Sequence, residues 1–133
     1  MAKPIRTRTV TAAQVRSYLA KAEEYAAAAV NELEAERSIA ATSLAIHAAI
    51  NAADAVCGAR IGKRATGPDH DQALVLLDQA GTDGAALAKE LRRLLPLKTK
   101  AEYDPDDIPL SAASRAVDRA HRCVAIARRV QPR

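Results

Sequence analysis

The chain has almost no aromatic side chains: its 133 residues include no Trp, no Phe and only three Tyr. Proteins that hold single-stranded nucleic acids by base stacking need aromatic platforms. The composition therefore argues against a base-stacking single-strand binder. Strand-forming residues do not cluster anywhere in the sequence, whereas Ala, the best helix former, is abundant. We expect an all-α fold.

Several catalytic and cofactor signatures are also missing. The sequence contains no Gly-rich phosphate loop, no Ser-nucleophile elbow and no zinc pattern. Its three His are scattered without metal-ligand spacing, so we expect no metal and no other cofactor. The two cysteines, Cys57 and Cys123, lie on predicted apolar helix faces. We interpret them as buried, reduced thiols of a cytoplasmic protein rather than a disulfide.

The sequence does not favour a secreted or membrane protein. The basic N-terminal residues are not followed by the apolar segment of a signal peptide. Residues 38–59 are apolar and long enough to span a bilayer, but Asp54 would then lie in hydrocarbon, at a cost of about 3 kcal/mol. The formal net charge of +4 is compatible with RNA, DNA or an acidic partner.

Length and hydrophobic periodicity predict one domain. Residues 1–10 are interpreted as a flexible basic tail, and residues 11–130 as a single up-and-down bundle of four to five helices. The first helix starts with a capping box formed by Thr11 and Gln14, and Asp69 is a good N-cap for the third helix. Residues 97–110 are predicted to form a long loop.

The stretch 38–59 is expected to be the central helix, because it is apolar nearly all round. Its polar residues fall on one narrow stripe and are Ser43, His47, Asn51 and Asp54. They could line a binding site, or they could form a polar seam that fixes the register between helices. His47 and Asp54 are two turns apart, so they cannot form a pair, and a buried Asp54 needs a partner from another element.

A second stripe lies on the predicted last helix. Four arginines fall within about 80° of one another on it and are Arg115, Arg119, Arg122 and Arg129. Convergent cations of this kind bind phosphates. The alternative is a solvated face that Asp118 and the acidic loop partly neutralise.

Three phrases give the chain a family resemblance. The phrase LAIHAAINAADAVCGARIGKR, then GPDHDQA, then LRRLLPLKTKAEYD, followed by a final Ala-rich helix, resemble a HEPN domain over roughly residues 11–130. The resemblance implies a small helical bundle, usually dimeric, of the kind found in prokaryotic defence, toxin–antitoxin and RNA-processing systems. Some members pair with a nucleotidyltransferase partner, and others lack catalytic activity and serve as binding or scaffold modules.

The resemblance also implies two candidate sites. Many members are metal-independent endoribonucleases that use an Arg-x4-6-His motif contributed by two subunits. This spacing occurs twice, and the family's usual position for the motif favours Arg115 and His121. On an ideal helix these two residues are about 120° apart, so they would converge only with help from a second subunit.

The alternative site is taken from the quoted phrases. It comprises Asp54, His70, Lys98 and Tyr103, with Lys98 as a candidate cation for Asp54. These residues could also form a structural ion pair that holds the loop against the bundle.

The leading functional hypothesis is a binding module for RNA or nucleotide-related ligands in a prokaryotic defence or toxin–antitoxin setting, weakly catalytic or not catalytic. The first alternative is a metal-independent endoribonuclease toxin with a composite Arg/His site at a homodimer interface. The second alternative is an interaction module that docks a nucleotidyltransferase-like partner or an antitoxin.

Overall fold

The structure, a computed structural model, describes residues 4–67 and 70–131. Within these residues the chain forms six helices and one antiparallel two-stranded sheet. The helices are α1 (Ala12–Glu34), α2 (Ser38–Ile61), α3 (Asp71–Asp78), α4 (Gly81–Leu94), α5 (Pro96–Glu102) and α6 (Leu110–Arg129). The strands are β1 (Thr7–Thr9) and β2 (Lys63–Ala65). The predicted all-α bundle is confirmed, with one more helix than expected.

Helix α2 is the centre of the bundle, as its composition predicted. It packs most extensively against α1 and α6, and it also contacts α3, α4 and α5. Many of its buried residues are alanines, whose small side chains let the neighbouring helices approach closely. Its length and composition would allow it to cross a membrane, but most of it is buried inside the bundle, as in the core helix of a soluble protein.

The start of α1 also follows the sequence. The Thr11 hydroxyl accepts a hydrogen bond from the Gln14 backbone N–H at 3.1 Å, and the Gln14 side-chain oxygen accepts one from the Thr11 N–H at 2.9 Å. This confirms the predicted capping box. The cap predicted at Asp69 lies outside the described residues.

The prediction of a flexible tail over residues 1–10 is wrong for its last part, while residues 1–3 lie outside the described part of the chain. Strand β1 pairs with β2 in antiparallel register, with Arg8 opposite Arg64. Val10 is then buried, and its N–H donates to the carbonyl of Gly62 at 2.9 Å. A Cβ on Gly58 would lie 2.7 Å from Val10 Cγ1, so the glycine allows this close approach.

The predicted loop over residues 97–110 is wrong in its first half. Pro96 begins α5 instead of ending the regular structure, because Pro is well suited to the first turn of a helix. Residues 103–109 then connect α5 to α6 without regular structure, as the clustered Asp and Pro residues predicted. Ile108 is fully buried and anchors this connection to the core.

Candidate functional site

A basic recess lies where the C-terminal end of α4 meets α5 and the first half of α6. Arg93 of α4 and Arg115 and Arg119 of α6 line a cavity of about 220 Å³. The remaining lining residues are apolar and are Pro96, Leu97, Ala112 and Ala116. Arg93 stands in the last turn of α4, where a cation is favoured by the partial negative charge of the helix C-terminus. The recess therefore gathers three guanidinium groups without a carboxylate among its described lining residues.

The arginines of this face differ in how far they are neutralised. Glu90 of α4 binds Arg119 Nη1 at 3.0 Å and Arg122 Nε at 3.1 Å. Burial acts to raise the pKa of Glu90, but the hydrogen bonds from Arg122 and Arg119 outweigh it, and the pKa lies below its usual value. In the described part of the chain, Arg93 and Arg115 have no ion-pair partner. These two are the arginines most available to an anionic ligand.

Arg115 and His121, the predicted catalytic residues, are both exposed but face different neighbours. Arg115 lines the recess beside α4 and α5. Arg128 Nη2 lies 3.6 Å from Glu23, so Arg128 is on the side of α6 that faces α1. His121 is seven residues, or two turns, before Arg128 and therefore lies on the same side. The two candidate residues thus lie on opposite flanks of the same helix.

The polar stripe on α2 is divided into two parts. In the first part, His47 Nδ1 lies 2.8 Å from the carbonyl oxygen of Ser43, and Asn51 Nδ2 donates to the carbonyl of His47 at 2.8 Å. The His47 ring also packs against Tyr25 of α1, with 5.4 Å between ring centroids. The hydrogen bonds of this part therefore lie within α2 itself, and its contact with α1 is the packing of His47 on Tyr25.

Asp54 forms the second part of the stripe and lies in a different environment. With Arg64, Thr66 and His70 it lines a small recess of about 120 Å³. Burial raises the pKa of Asp54 to about 7, although the nearby charges of Arg64 and Lys21 act to lower it. The structure thus brings together Asp54 and His70, two of the four residues of the predicted alternative site.

The other two members of that predicted site lie elsewhere. Lys98 Nζ is 3.5 Å from Glu102, one turn further along α5, and Tyr103 is 74% exposed. The cations that act on Asp54 are Arg64 and Lys21. The hypothesis that Lys98 neutralises Asp54 is therefore wrong, because the helical conformation of α5 gives Lys98 a local partner at i+4.

Both cysteines are free and buried, as predicted. Burial raises the pKa of each thiol to about 12, which keeps Cys57 and Cys123 protonated at neutral pH. Among the described residues, no group of three or more His, Cys, Asp or Glu side chains is placed to hold a metal ion.

Comparison with known families identifies the chain. A family model described as HEPN domain matches residues 15–131, which is nearly the whole chain. The chain belongs to the HEPN domain family. No curated protein matches it in sequence. The resemblance inferred from the three sequence phrases is thereby confirmed, and the six-helix bundle is the form that this HEPN domain takes.

Sequence reasoning missed three members of the sites in this HEPN domain. Arg93 was not predicted because it lies on α4, whereas the arginine stripe lies on α6. The only local signal was its place shortly before Pro96, which indicated the end of a helix. Arg64 forms the second Arg-x4-6-His match, with His70, and that spacing gives no link to Asp54. Lys21 lies on the exposed side of α1, and no local signal in the sequence links it to Asp54.

Proposed function

We propose that this HEPN domain is an RNA-binding module that holds the phosphate backbone at the basic recess between α4 and α6. The observation that carries the proposal is the convergence of Arg93 and Arg115, both without an ion-pair partner in the described residues, on one recess. Phosphate contacts need convergent cations and no aromatic platform, which suits the composition of the chain.

The same proposal places the protein in a prokaryotic defence or toxin–antitoxin setting, as a weakly catalytic or non-catalytic module. The family membership supports the setting. The separation of Arg115 and His121 onto opposite flanks of α6 supports the absence of a complete catalytic pair within one chain. The net charge of +4 adds a weak general attraction to RNA.

The test is RNA binding by the double variant Arg93→Glu/Arg115→Glu, measured by fluorescence anisotropy with a labelled single-stranded RNA over a range of salt concentrations. We expect the affinity to fall at least about tenfold, and the slope of log K against log salt to decrease by about 1.4, since two phosphate contacts are lost. Arg8→Glu/Arg16→Glu, at exposed positions of β1 and α1, is the matched control with the same change in net charge. Equal loss in the control, or no loss in the double variant, would overturn the proposal.

A metal-independent endoribonuclease is the second candidate. The exposure of both Arg115 and His121 favours it, because a second subunit could then supply the missing partner. Under this hypothesis the protein is a homodimer, it cleaves RNA in excess chelator, and His121→Ala abolishes cleavage. No cleavage at micromolar concentrations of the purified protein would exclude it.

A protein-docking module is the third candidate. An open groove of about 650 Å³ favours it, because exposed Ile39 lies there beside Glu36, Glu102 and Asp107. The rim carries these three acidic residues and one cation, Arg37, and its net negative charge would suit a nucleotidyltransferase-like partner that presents an apolar side chain flanked by Lys or Arg. Ile39→Glu should abolish binding of such a partner and leave RNA binding unchanged, whereas partner binding that survives Ile39→Glu would exclude this groove.

A further inference from the structure

The Asp54 side chain is partly buried and lines a recess, and it has no hydrogen bond or ion pair within the described residues. A buried carboxylate normally has a donor, since transferring a charge from water without one is costly. Asp54 instead lines a recess, and the cavity of about 120 Å³ has room for roughly four water molecules. The recess thus offers the carboxylate of Asp54 to a small ligand.

The walls and the rim of the recess restrict the shape of that guest. Ile50, Ala65 and Ala73 contribute apolar surface, which suits the faces of a planar group. A volume of about 120 Å³ leaves room for the edge of one such group. The backbone around the recess is fixed on one side, because β2 is paired to β1 and the Thr66 N–H donates to the carbonyl of residue 6 at 2.9 Å.

The charges near Asp54 restrict the guest further. Arg64 lies over the ring of Tyr18, with its guanidinium carbon 5.6 Å from the centroid, and Lys21 stands on the exposed side of α1. Both cations act on the Asp54 carboxylate. They would repel a cationic guest such as a guanidinium and would attract a guest that carries an anion outside the recess. A neutral donor edge joined to a phosphate satisfies both conditions.

Among the nucleobases, guanine is the one whose Watson–Crick edge presents two adjacent donors, N1–H and the N2 amino group. A carboxylate can accept both at once, in the bidentate manner in which it binds other paired donors. Adenine and cytosine each present an amino donor beside a ring-nitrogen acceptor, and that acceptor would face the carboxylate unfavourably. Uracil has a single N–H between two carbonyl acceptors.

We propose that the recess lined by Asp54, Arg64 and Ala73 binds the Watson–Crick edge of a guanine base, with the attached phosphate near Arg64 and Lys21. This site is separate from the Arg93–Arg115 recess, so the inference does not depend on the proposed phosphate contacts there. The guanine could belong to a free nucleotide or to a single-stranded RNA.

The experiment measures binding of GMP, IMP, AMP and UMP by isothermal titration calorimetry. We expect GMP to bind at least about tenfold more tightly than AMP or UMP, a factor within the range of one bidentate contact. IMP lacks the N2 amino group and should bind with intermediate affinity. A short RNA with a single guanine, compared with the same RNA carrying adenine, distinguishes RNA from free nucleotide as the source.

Asp54→Asn should remove the preference for GMP, and Asp78→Asn, on the exposed side of α3, should retain it. Thermal melts establish that both variants are folded. Arg93→Glu/Arg115→Glu should keep the preference for GMP, so failure of the backbone proposal and failure of this one are distinguishable. Equal affinities for GMP and AMP in the wild-type protein, or a preference that survives Asp54→Asn, would overturn the inference.

Discussion

Glu90 Oε2 lies 3.0 Å from Arg119 Nη1, and this contact joins α4 to α6 across 29 positions of the sequence. The same carboxylate binds Arg122 at 3.1 Å through its other oxygen. One acidic residue therefore both fastens two helices together and neutralises part of the arginine stripe. The charge available to a phosphate on this face depends on Glu90 as much as on the arginines.

Glu90→Gln should increase RNA affinity and decrease stability. The substitution releases Arg119 and Arg122 to contact phosphate, and we expect roughly a threefold gain in affinity by anisotropy. It also weakens a partly buried pair of charged hydrogen bonds, which should cost about 1 kcal/mol of unfolding free energy. Glu24→Gln, an exposed residue of α1, is the control and should change neither quantity. Unchanged RNA affinity in Glu90→Gln would show that Arg119 and Arg122 do not contact RNA.

Asp54→Asn should stabilise the free protein at neutral and higher pH. Burial raises the pKa of Asp54 from 3.8 to about 7, so between these values the folded state binds more protons than the unfolded state. Stability therefore decreases as the pH rises from about 4 to 7, by an amount on the order of a few kcal/mol.

The neutral amide of Asp54→Asn removes the destabilisation that comes from ionising Asp54. The difference in unfolding free energy between this variant and wild type should therefore vanish below about pH 4. Urea denaturation over the pH range measures this difference, and Asp78→Asn, at an exposed position of α3, is the matched carboxylate-to-amide control. A variant that is less stable than wild type at pH 8 would mean that the carboxylate has a stabilising partner.

The sequence predicted those parts of the fold that depend on local pattern. The apolar circumference of residues 38–59 indicated a buried helix, and Thr11 with Gln14 marked the start of α1. In the stripe from Ser43 to Asn51, side chains reach the carbonyls of their own helix one turn earlier, which is a local contact that helical spacing allows.

Features that depend on distant partners could not be read in the same way. Strand β1 forms because its backbone pairs with β2, more than fifty residues away. A strand of three residues is too short to show a recognisable alternation of polar and apolar side chains. The Glu90–Arg119 pair joins two helices whose relative rotation is set by packing. Lys98 was assigned to Asp54 because a buried carboxylate needs a cation, but the nearby cations come from β2 and α1.

The attachment of the N-terminal segment gives a third prediction. Val10→Ala should lower the unfolding free energy by about 1–2 kcal/mol, because Val10 is buried against Gly58 and its truncation leaves a small cavity. Arg8→Ala, an exposed position of β1, should cost less than about 0.5 kcal/mol. Chemical denaturation of the two variants measures the difference. Equal stability in Val10→Ala and wild type would mean that residues 7–10 do not pack on the bundle in solution.

The corner between α3 and α4 gives the last prediction. A Cβ on Gly84 would lie 2.1 Å from the carbonyl oxygen of Leu77 and 2.6 Å from the Ala80 Cβ. Alanine normally stabilises a helix relative to glycine by about 1 kcal/mol, but here the backbone of α3 would have to move. We expect Gly84→Ala to destabilise the protein by roughly 1–3 kcal/mol, the range found for overpacked sites.

Ala85→Ser, on the exposed side of the same turn, is the control and should change stability by less than about 0.5 kcal/mol. Because α4 carries both Glu90 and Arg93, a shift of this helix should also weaken RNA binding in Gly84→Ala at temperatures where the variant is still folded. Urea denaturation and anisotropy on the same preparations separate the two effects. A stabilised Gly84→Ala variant would mean that α3 and α4 are further apart in solution than this contact requires.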